Sequence, residues 1–275
     1  MTKELAAKLR ELADKYEIAS FCDEDPSQFL RWYEPAAGRG TMADVEAASF
    51  IAAMLAFGNR KQFIPKIREI LQTSDRSLGS ISNWLRTGSF RKDFPCGEKK
   101  FYRFYSYDDM QIFFGELAEI LNQSETLGEY FRIKGEVSPS LQPASQSSAT
   151  PSNGGPPRNA PVALYEIIAS SFPKSAIVPK GRTSANKRIH MFLRWMVRQN
   201  SPVDLGLWQW ANPAELLIPL DVHVMQEAAK LGLIPETASA SRKTAELLTS
   251  ALNEVFPADP CRGDFALFGL GVDVL

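Results

Sequence analysis

The stretch SANKRIHMFLRWMVRQ, residues 184–199, has the periodicity of an amphipathic helix. A second face of this helix carries Lys187, Met191, Arg194 and Arg198. The stretch therefore predicts a helix with one face packed on a core and one cationic face exposed to solvent. The apolar side chains of the core face recur every three or four residues and are Ala185, Ile189, Phe192, Leu193 and Met196.

Other segments of the chain show the same spacing of apolar residues, whereas the alternation typical of strands is scarce. We interpret Thr73-Ser74-Asp75 and Thr237-Ala238-Ser239 as loops whose hydroxyl groups cap the following helix. The pattern predicts an all-α fold. Besides residues 184–199, the expected helices are about 3–17, 43–57, 63–72, 109–122, 162–171, 222–231 and 241–255.

The overall composition excludes several classes of protein. With 275 residues, of which 44% are hydrophobic, the chain can form a sizeable core. It contains no run of about 18 apolar residues, so we expect no membrane span. The first predicted helix has charges between its leucines, unlike the apolar stretch of a secretory signal. These features predict a cytoplasmic protein.

Cysteine content and net charge bear on cofactors and partners. Cys22, Cys96 and Cys261 are far apart and odd in number, which fits neither a disulfide framework nor a zinc or iron–sulfur cluster. We expect reduced thiols, no metal and no other cofactor. The formal net charge of −1 does not indicate a polyanionic partner, so a nucleic-acid hypothesis depends on where the charges lie.

A low-complexity segment divides the chain. From about Glu136 to Pro161 the sequence includes SPSLQPASQSSATPSNGGPPRNAP, which is nearly without large apolar side chains. Such a segment cannot bury enough surface to offset the entropy lost on ordering. We therefore predict a disordered insertion at 136–161, between an N-terminal helical part, 1–135, and a C-terminal helical part, 162–275.

Positive charge is concentrated between Glu166 and Asp204, where no acidic residue occurs. The turn PKGRTS, residues 179–184, precedes the helix, with a glycine to free the backbone and a serine to cap. Amides at a helix N-terminus, flanked by Lys and Arg, suit a phosphate. An ordinary solvated basic helix is the alternative that charge alone leaves open. The predicted DNA-binding residues here are Lys180, Gly181, Arg182, Ser184, Arg194 and Arg198.

Asp221 follows the apolar stretch AELLIPL, residues 214–220, and directly precedes a predicted helix. The N-terminus of that helix favours an ionised carboxylate. Capping alone accounts for an aspartate at this position, so a structural and a functional role are both open. His223 is either a phosphate contact or an ordinary surface residue.

These stretches together resemble the helix-hairpin-helix DNA glycosylase superfamily, in which a basic helix with a lysine precedes a loop with an aspartate. Residues 181–186, GRTSAN, are similar to the hairpin-to-helix stretch of endonuclease III-type members. Lys187, followed by Met191-Phe192-Leu193-Arg194, looks like the catalytic lysine and helix of archaeal and bacterial 8-oxoguanine glycosylases, the archaeal type being nearest. Residues 218–224, IPLDVHV, resemble the aspartate loop of 8-oxoguanine glycosylases generally.

A closer resemblance is to a bacterial family of unknown function that is grouped with this superfamily. It covers most of the chain outside the low-complexity segment. The stretches that carry it are Ala56-Phe57-Gly58-Asn59-Arg60, Phe101-Tyr102-Arg103-Phe104, Lys187-Arg188, residues 192–198, Asp259-Pro260 and Asp264-Phe265-Ala266-Leu267.

The chain departs from the glycosylase pattern in two places. The Leu-Pro-Gly-x-Gly hairpin is reduced to one glycine, and no four-cysteine cluster follows, unlike in the iron–sulfur members. Two registers are open: either Lys187 is the catalytic lysine, or Thr183 stands at that position and Lys187 only contacts DNA. The Phe192-Leu193-Arg194 that follows favours Lys187.

The resemblance implies a two-lobed helical fold and base excision from damaged duplex DNA. A damaged, oxidised base would leave the duplex for a pocket, where Lys187 would attack the sugar and Asp221 would stabilise the developing positive charge. Elimination from the resulting Schiff base would nick the strand. The resemblance also implies a nucleoid-associated monomer without a cofactor. The pocket residues that it implies are Pro219, Asp264, Phe268, Met191 and Asn59.

Two other classes of function stay open. One is a DNA-binding protein that keeps the fold without the chemistry, which is favoured if the Lys187 amine points away from the Asp221 carboxylate. The other is a helical interaction scaffold that uses the basic helix to bind an acidic protein, which is favoured if DNA is not bound even at low salt.

Overall fold

The computed structural model describes residues 1–137 and 163–273, and helices make up most of that part of the chain. The α-helices are α1 (Lys3–Tyr16), α2 (Met42–Leu55), α3 (Arg60–Leu78), α4 (Ile81–Arg86), α5 (Phe90–Asp93), α6 (Tyr107–Leu121), α7 (Leu127–Val137), α8 (Leu164–Ser170), α9 (Lys187–Val197), α10 (Val222–Lys230), α11 (Arg242–Asn253) and α12 (Gly263–Asp273). Short 3-10 helices lie at Ala19–Asp23, Pro26–Arg31, Pro35–Ala37, Pro213–Glu215 and Pro260–Arg262. Two short strands, β1 (Lys100–Tyr102) and β2 (Tyr105–Ser106), form an antiparallel hairpin.

Helix α2 lies inside the larger core, and all of its residues from Ala43 to Leu55 are buried. It begins with a capping box, in which the Thr41 hydroxyl accepts from the Asp44 N–H and the Asp44 carboxylate accepts from the Thr41 N–H at 2.7 Å. Small side chains let neighbouring helices approach closely. These are Ala43, Ala47, Ala48, Ala52 and Ala53.

The one glutamate of α2 is buried with its hydrogen bonds made. Glu46 accepts from the Gly128 N–H at 2.7 Å and from the Trp208 Nε1–H at 2.8 Å. These bonds join α7 and the loop after α9 to α2. Losing them would leave a buried carboxylate without partners, which is strongly unfavourable. Phe50 and Phe192 contact edge to face, with 4.9 Å between ring centroids, so α9 packs directly on α2.

Two hydrophobic clusters hold these helices together. The larger cluster contains α2 and residues from α3, α4, α6, α7, α8 and α9. The smaller contains residues from α1, α10, α11 and α12. Helices from both sides of residues 138–162 thus share the larger cluster. The insertion predicted at 136–161 lies, from residue 138 onward, outside the described residues, and the predicted domain boundaries stay a prediction.

The predicted helical fold is confirmed in its main feature, since each expected helix overlaps an observed one. The interpretation of Thr73-Ser74-Asp75 as a loop is wrong, because these residues lie inside α3. There the Thr73 hydroxyl bonds back to the Glu69 carbonyl, a bond that satisfies the side chain within the helix. Ser241, and not the segment 237–239, caps α11.

Several elements escaped the sequence pattern. The strands of the hairpin are only three and two residues long, too short for alternation to be visible. Helix α4 covers a turn and a half, and α7 mixes apolar and charged positions. In the described residues, no helix combines the length and hydrophobicity that crossing a bilayer requires.

Helix α9 joins the two clusters where the site forms. Its Ile189 and Phe192 belong to the larger cluster, whereas Ala185, just before the helix, belongs to the smaller. Ile218 and Leu220, which precede α10, are buried in the smaller cluster as well. This packing brings the N-terminus of α10 close to the N-terminus of α9.

Candidate functional site

The loop before α9 is held by Asn186 and not by Ser184. Asn186 has a φ of +43° and sits in the left-handed region that asparagine tolerates, and its Nδ2 donates to the Gly181 carbonyl at 2.8 Å. The expectation that Ser184 caps the helix is wrong, because α9 begins at Lys187. A side chain at position 181 would clash, because its Cβ would lie 2.7 Å from the Ser184 Cβ, so glycine is favoured there.

Lys187 and Asp221 face each other across the two helix N-termini. The Lys187 Nζ lies 3.1 Å from the Asp221 Oδ2, and the two side chains are 35% and 32% exposed. The pair is therefore neither buried in the core nor free in solvent. An amine and a carboxylate in this setting remain accessible to a bound molecule.

Asp221 also caps α10, as its position before a predicted helix suggested. Its Oδ1 accepts from the Val224 N–H at 2.9 Å, which leaves Oδ2 for Lys187. Burial raises the pKa of this carboxyl, but the Lys187 ammonium and the Val224 N–H lower it by more, so that the pKa of Asp221 is below its ordinary value. Asp221 is ionised at neutral pH.

The ion pair lies on the wall of an open cavity of about 650 Å³ between the start of α9, the start of α10 and the segment before α3. This volume is within the range of small-molecule sites. Five predicted site residues line the cavity: Lys187, Met191, Asp221, Ser184 and His223. The structure thus brings together the two predicted catalytic residues and one wall of a pocket.

Asn186 is a cavity residue that sequence reasoning missed. Only 5% of this residue is exposed, and its Oδ1 has no hydrogen-bond partner in the described structure. A buried carbonyl oxygen without a partner is unfavourable, so a donor from a bound molecule would stabilise it. The sequence pattern placed Asn186 inside the predicted helix 184–199, and only the later start of α9, at Lys187, reveals its position in the loop.

Arg188 and Phe57 form a second wall that was not predicted. The Arg188 guanidinium lies 4.8 Å from the centroid of the Phe57 ring and donates to the Met54 carbonyl. Arg103, at the turn of the hairpin, lies over the same ring at 5.6 Å. Gly58 has a φ of +81°, and a side chain there would collide with Arg103. Phe57, Arg60 and Arg103 all fall in motifs quoted above for the family resemblance.

Exposed cations surround this cavity. Arg60 lines it and is 45% exposed, with a distant partner in Asp25 at 3.9 Å. Lys180, Gly181 and Arg182 are exposed on the loop between two lining residues, Pro179 and Ser184, and the Lys180 ammonium donates to the Ser175 carbonyl.

The prediction that Arg194 and Arg198 form an exposed cationic face is wrong. They are 3% and 2% exposed, and both contact the ring of Phe265 on α12. Arg194 pairs with Asp204 and Asp264. The partners of Arg198 are Asp204, Asp259 and Glu17.

The absence of acidic residues between Glu166 and Asp204 was misleading for a physical reason. Most of the carboxylates that pair with these arginines come from distant segments, Glu17 directly after α1 and residues 259–264, which the fold brings onto α9. The acidic partners hold the pKa of Arg198 well above its ordinary value despite burial, which lowers it. Guanidiniums held in this way cannot contact a phosphate.

Four predicted pocket residues do not line the cavity. Asp264 pairs with Arg194. Burial, and to a smaller extent the negative charge of Asp221, raise the pKa of the Asp264 carboxyl. Phe268 packs against Phe21, with ring centroids 4.9 Å apart. Asn59 caps α3 by accepting from the Lys61 N–H at 2.9 Å, and Pro219 is buried behind the Asp221 loop.

The described residues contain no group of three or more His, Cys, Asp or Glu side chains able to hold a metal ion. Cys22, Cys96 and Cys261 are not joined in disulfides. The chemical groups on the cavity wall include the Lys187 amine, the Asp221 carboxylate, the His223 imidazole and the Asn186 side-chain amide.

The fold and the site define a mostly helical protein with a lysine–aspartate ion pair on the wall of a cavity. The chain belongs to the family described as protein of unknown function DUF2400, whose model matches residues 25–273. The predicted membership of a family of unknown function is thereby confirmed. No curated protein and no solved structure matches the chain.

Proposed function

We propose that this protein is a DNA glycosylase of the helix-hairpin-helix class that removes a damaged, oxidised base from duplex DNA. The observation that carries the proposal is the 3.1 Å contact between the Lys187 Nζ and the Asp221 Oδ2 on the wall of the cavity. An amine that pointed away from the carboxylate would have favoured a protein that kept only DNA binding, and the Lys187 amine points towards it. The two hydrophobic clusters support a two-lobed fold.

The cavity and its surroundings support a flipped-out nucleotide as the ligand. Chemistry on a base requires its removal from the duplex into a pocket, and about 650 Å³ is sufficient for a nucleoside. The unpartnered Asn186 Oδ1 would accept a hydrogen bond from the base or sugar. Exposed Arg60, Arg103 and Arg182 would contact phosphates around the opening.

The reaction would begin with a proton transfer from the Lys187 ammonium, and the Asp221 carboxylate is the acceptor in contact with it. The free amine then forms a bond to the sugar C1′ while the bond from C1′ to the base breaks. The bonding electrons go to the departing base together with the proton that Asp221 took from Lys187, and this second transfer restores the Asp221 carboxylate. Asp221, held ionised at the N-terminus of α10, would stabilise the positive charge that develops on the sugar.

The strand would be nicked through a Schiff base. The lysine nitrogen forms a double bond to C1′ as the ring C1′–O4′ bond breaks, and O4′ takes up a proton. Loss of a C2′ proton then expels the 3′ phosphate. This route needs no cofactor, and we propose that it acts on nucleoid DNA in the cytoplasm, as a monomer.

Borohydride trapping on a panel of duplexes, each with one oxidised base, tests the proposal. The wild type is expected to give a covalent adduct with at least one lesion, and Lys187→Ala to give none, because the amine that forms the bond is absent. Asp221→Asn should keep the helix cap but slow base release by about 10²–10³-fold. Lys243→Ala, an exposed lysine on α11, is the matched control and should trap as the wild type does.

If no lesion traps the wild type although the protein binds duplex DNA, the non-catalytic DNA-binding function is correct. If DNA is not bound even at low salt, the scaffold function takes its place. Adducts with Lys187→Ala would assign the chemistry to another amine.

A further inference from the structure

A second cavity, of about 620 Å³, lies on another side of α9 and shares no lining residue with the first. It is formed by α7, α8, α9, α11 and residues 210–217. Its wall is mainly apolar and includes the aromatic rings of Phe131, Tyr165 and Trp210. A concave apolar site with a few polar groups is typical of small-molecule binding.

Besides charged residues and Asn212, this wall carries the imidazole of His190, one turn before Arg194 on α9. The residue is 4% exposed, and its Nδ1 has no hydrogen-bond partner in the part of the chain that the structure describes. Its ring lies 5.1 Å from that of Tyr165. Burial, and to a smaller extent the charge of Arg242, lower the pKa of His190 to about 4. The imidazole is therefore neutral at physiological pH.

The arginines that line this cavity are already paired with carboxylates. Arg132 pairs with Glu136 at 2.7 Å, and Arg242 pairs with Glu246 at 2.7 Å and with Glu166 at 3.0 Å. Neither of the lining arginines that the structure describes is left to bind an anion. A phosphate or carboxylate would be desolvated here without a counter-charge, which is unfavourable.

We propose that this cavity binds an uncharged planar nitrogen heterocycle of the nucleobase or nucleoside class. Such a ring offers a flat face to the exposed ring of Trp210, which already stacks on Trp208 and so favours this geometry. Its edge carries N–H donors and ring nitrogen acceptors, so it can complete the hydrogen bonding of a neutral His190 Nδ1 whichever tautomer is present. The proposal depends on no residue of the Lys187 cavity and is independent of the proposed function.

Nitrogen NMR of the histidine side chains of the full chain tests the proposal directly. The protein has two histidines, so His223→Phe leaves one set of imidazole signals, that of His190. Adenosine, inosine, cytidine and thymidine are added in turn at millimolar concentration. At least one is expected to shift the Nδ1 resonance of His190 in a saturable way, whereas adenosine 5′-monophosphate should bind about tenfold more weakly than adenosine.

The result that overturns the proposal is the absence of a saturable shift with all four nucleosides. A ligand-free spectrum in which the His190 Nδ1 is already hydrogen-bonded would overturn it as well, because the group that selects the ligand would be occupied.

A substitution separates binding from a merely structural role of the histidine. His190→Phe keeps a ring of similar shape but removes the unpartnered nitrogen, so the fold should be retained or stabilised. Nucleoside affinity should nevertheless fall about tenfold, the loss expected for one hydrogen bond. Arg76→Ala, at an exposed position on α3 that lines neither cavity, is the control and should leave that affinity unchanged. Equal affinity of His190→Phe and the wild type would exclude the histidine from the site.

Discussion

The two ends of α9 carry the same types of side chain and use them differently. At its N-terminus Lys187 is about one-third exposed, has one carboxylate partner, and borders a cavity. Near its C-terminus Arg194 and Arg198 are buried among carboxylates from three segments of the chain. The cations of the C-terminal end are saturated by acidic partners. Among the described residues, the N-terminal cation has a single carboxylate partner, and it borders a cavity with room for a ligand.

This difference separates charges that hold the fold from charges that are available for chemistry. Removing one member of a buried ion cluster leaves uncompensated charge inside the protein, which costs about 3–5 kcal/mol. Removing one member of a half-exposed pair changes stability by about 0–1 kcal/mol, because water solvates the remaining partner. The pair with the smaller effect on stability is the one expected to carry function.

The largest predicted effect is on the free energy of unfolding of Arg198→Met. This change leaves Asp204, Asp259 and Glu17 without their shared partner and should reduce that free energy by about 3–5 kcal/mol. Lys187→Met at the other end of α9 should change it by no more than about 1 kcal/mol. Denaturant unfolding measures both, and similar values for the two variants would contradict the comparison.

The next largest effect is on the pH dependence of stability and comes from His190, which lies between the two ends of α9. Its pKa of about 4 in the folded protein lies below its ordinary value of 6.5, so its contribution to stability is present above pH 6.5 and is lost as pH falls towards 4. The loss should amount to roughly 3 kcal/mol. The stability of His190→Phe relative to wild type should thus increase between pH 7 and pH 4. If the stability difference between His190→Phe and wild type does not change with pH, His190 takes up a proton as readily in the folded chain as in the unfolded chain.

DNA binding gives a smaller, graded effect that tests which cations face solvent. Arg60→Glu, Arg103→Glu and Arg182→Glu should each lower the slope of log affinity against log salt by about 0.9 if the residue contacts a phosphate. Arg76→Glu, exposed near the opposite end of α3 from Arg60, is the control and should leave the slope unchanged. Unchanged slopes for all three variants would contradict the proposal that these arginines contact DNA phosphates around the cavity opening.

The sequence alone was sufficient for eight of the α-helices, because apolar residues at helical spacing mark a buried face where a helix packs on a core. It also placed Asp221 at the start of α10, since capping is a local interaction. Local pattern could not reveal the hairpin, whose role depends on packing of Tyr102 and Arg103 against Phe57.

Whether a charged side chain is exposed or paired in the fold could not be predicted from its neighbours in the sequence. Arg194 and Arg198 looked like a solvent face because their partners Asp259 and Asp264 are far along the chain. For the same reason Asn186, an ordinary residue in sequence, acquires a buried unpartnered oxygen only in the fold. Lys187 and Asp221 were predicted through the family resemblance, and residue spacing by itself did not indicate that they touch.

The most direct test of the central claim is to locate the covalent bond in a borohydride-trapped complex. The wild type is trapped on the oxidised-base duplex that reacts best, digested, and the modified peptide is identified by mass spectrometry. We expect the sugar to be attached to the Lys187 amine, because this amine lies 3.1 Å from the carboxylate that assists it on the cavity wall. Attachment to any other amine, or no attachment on any lesion, would contradict the account.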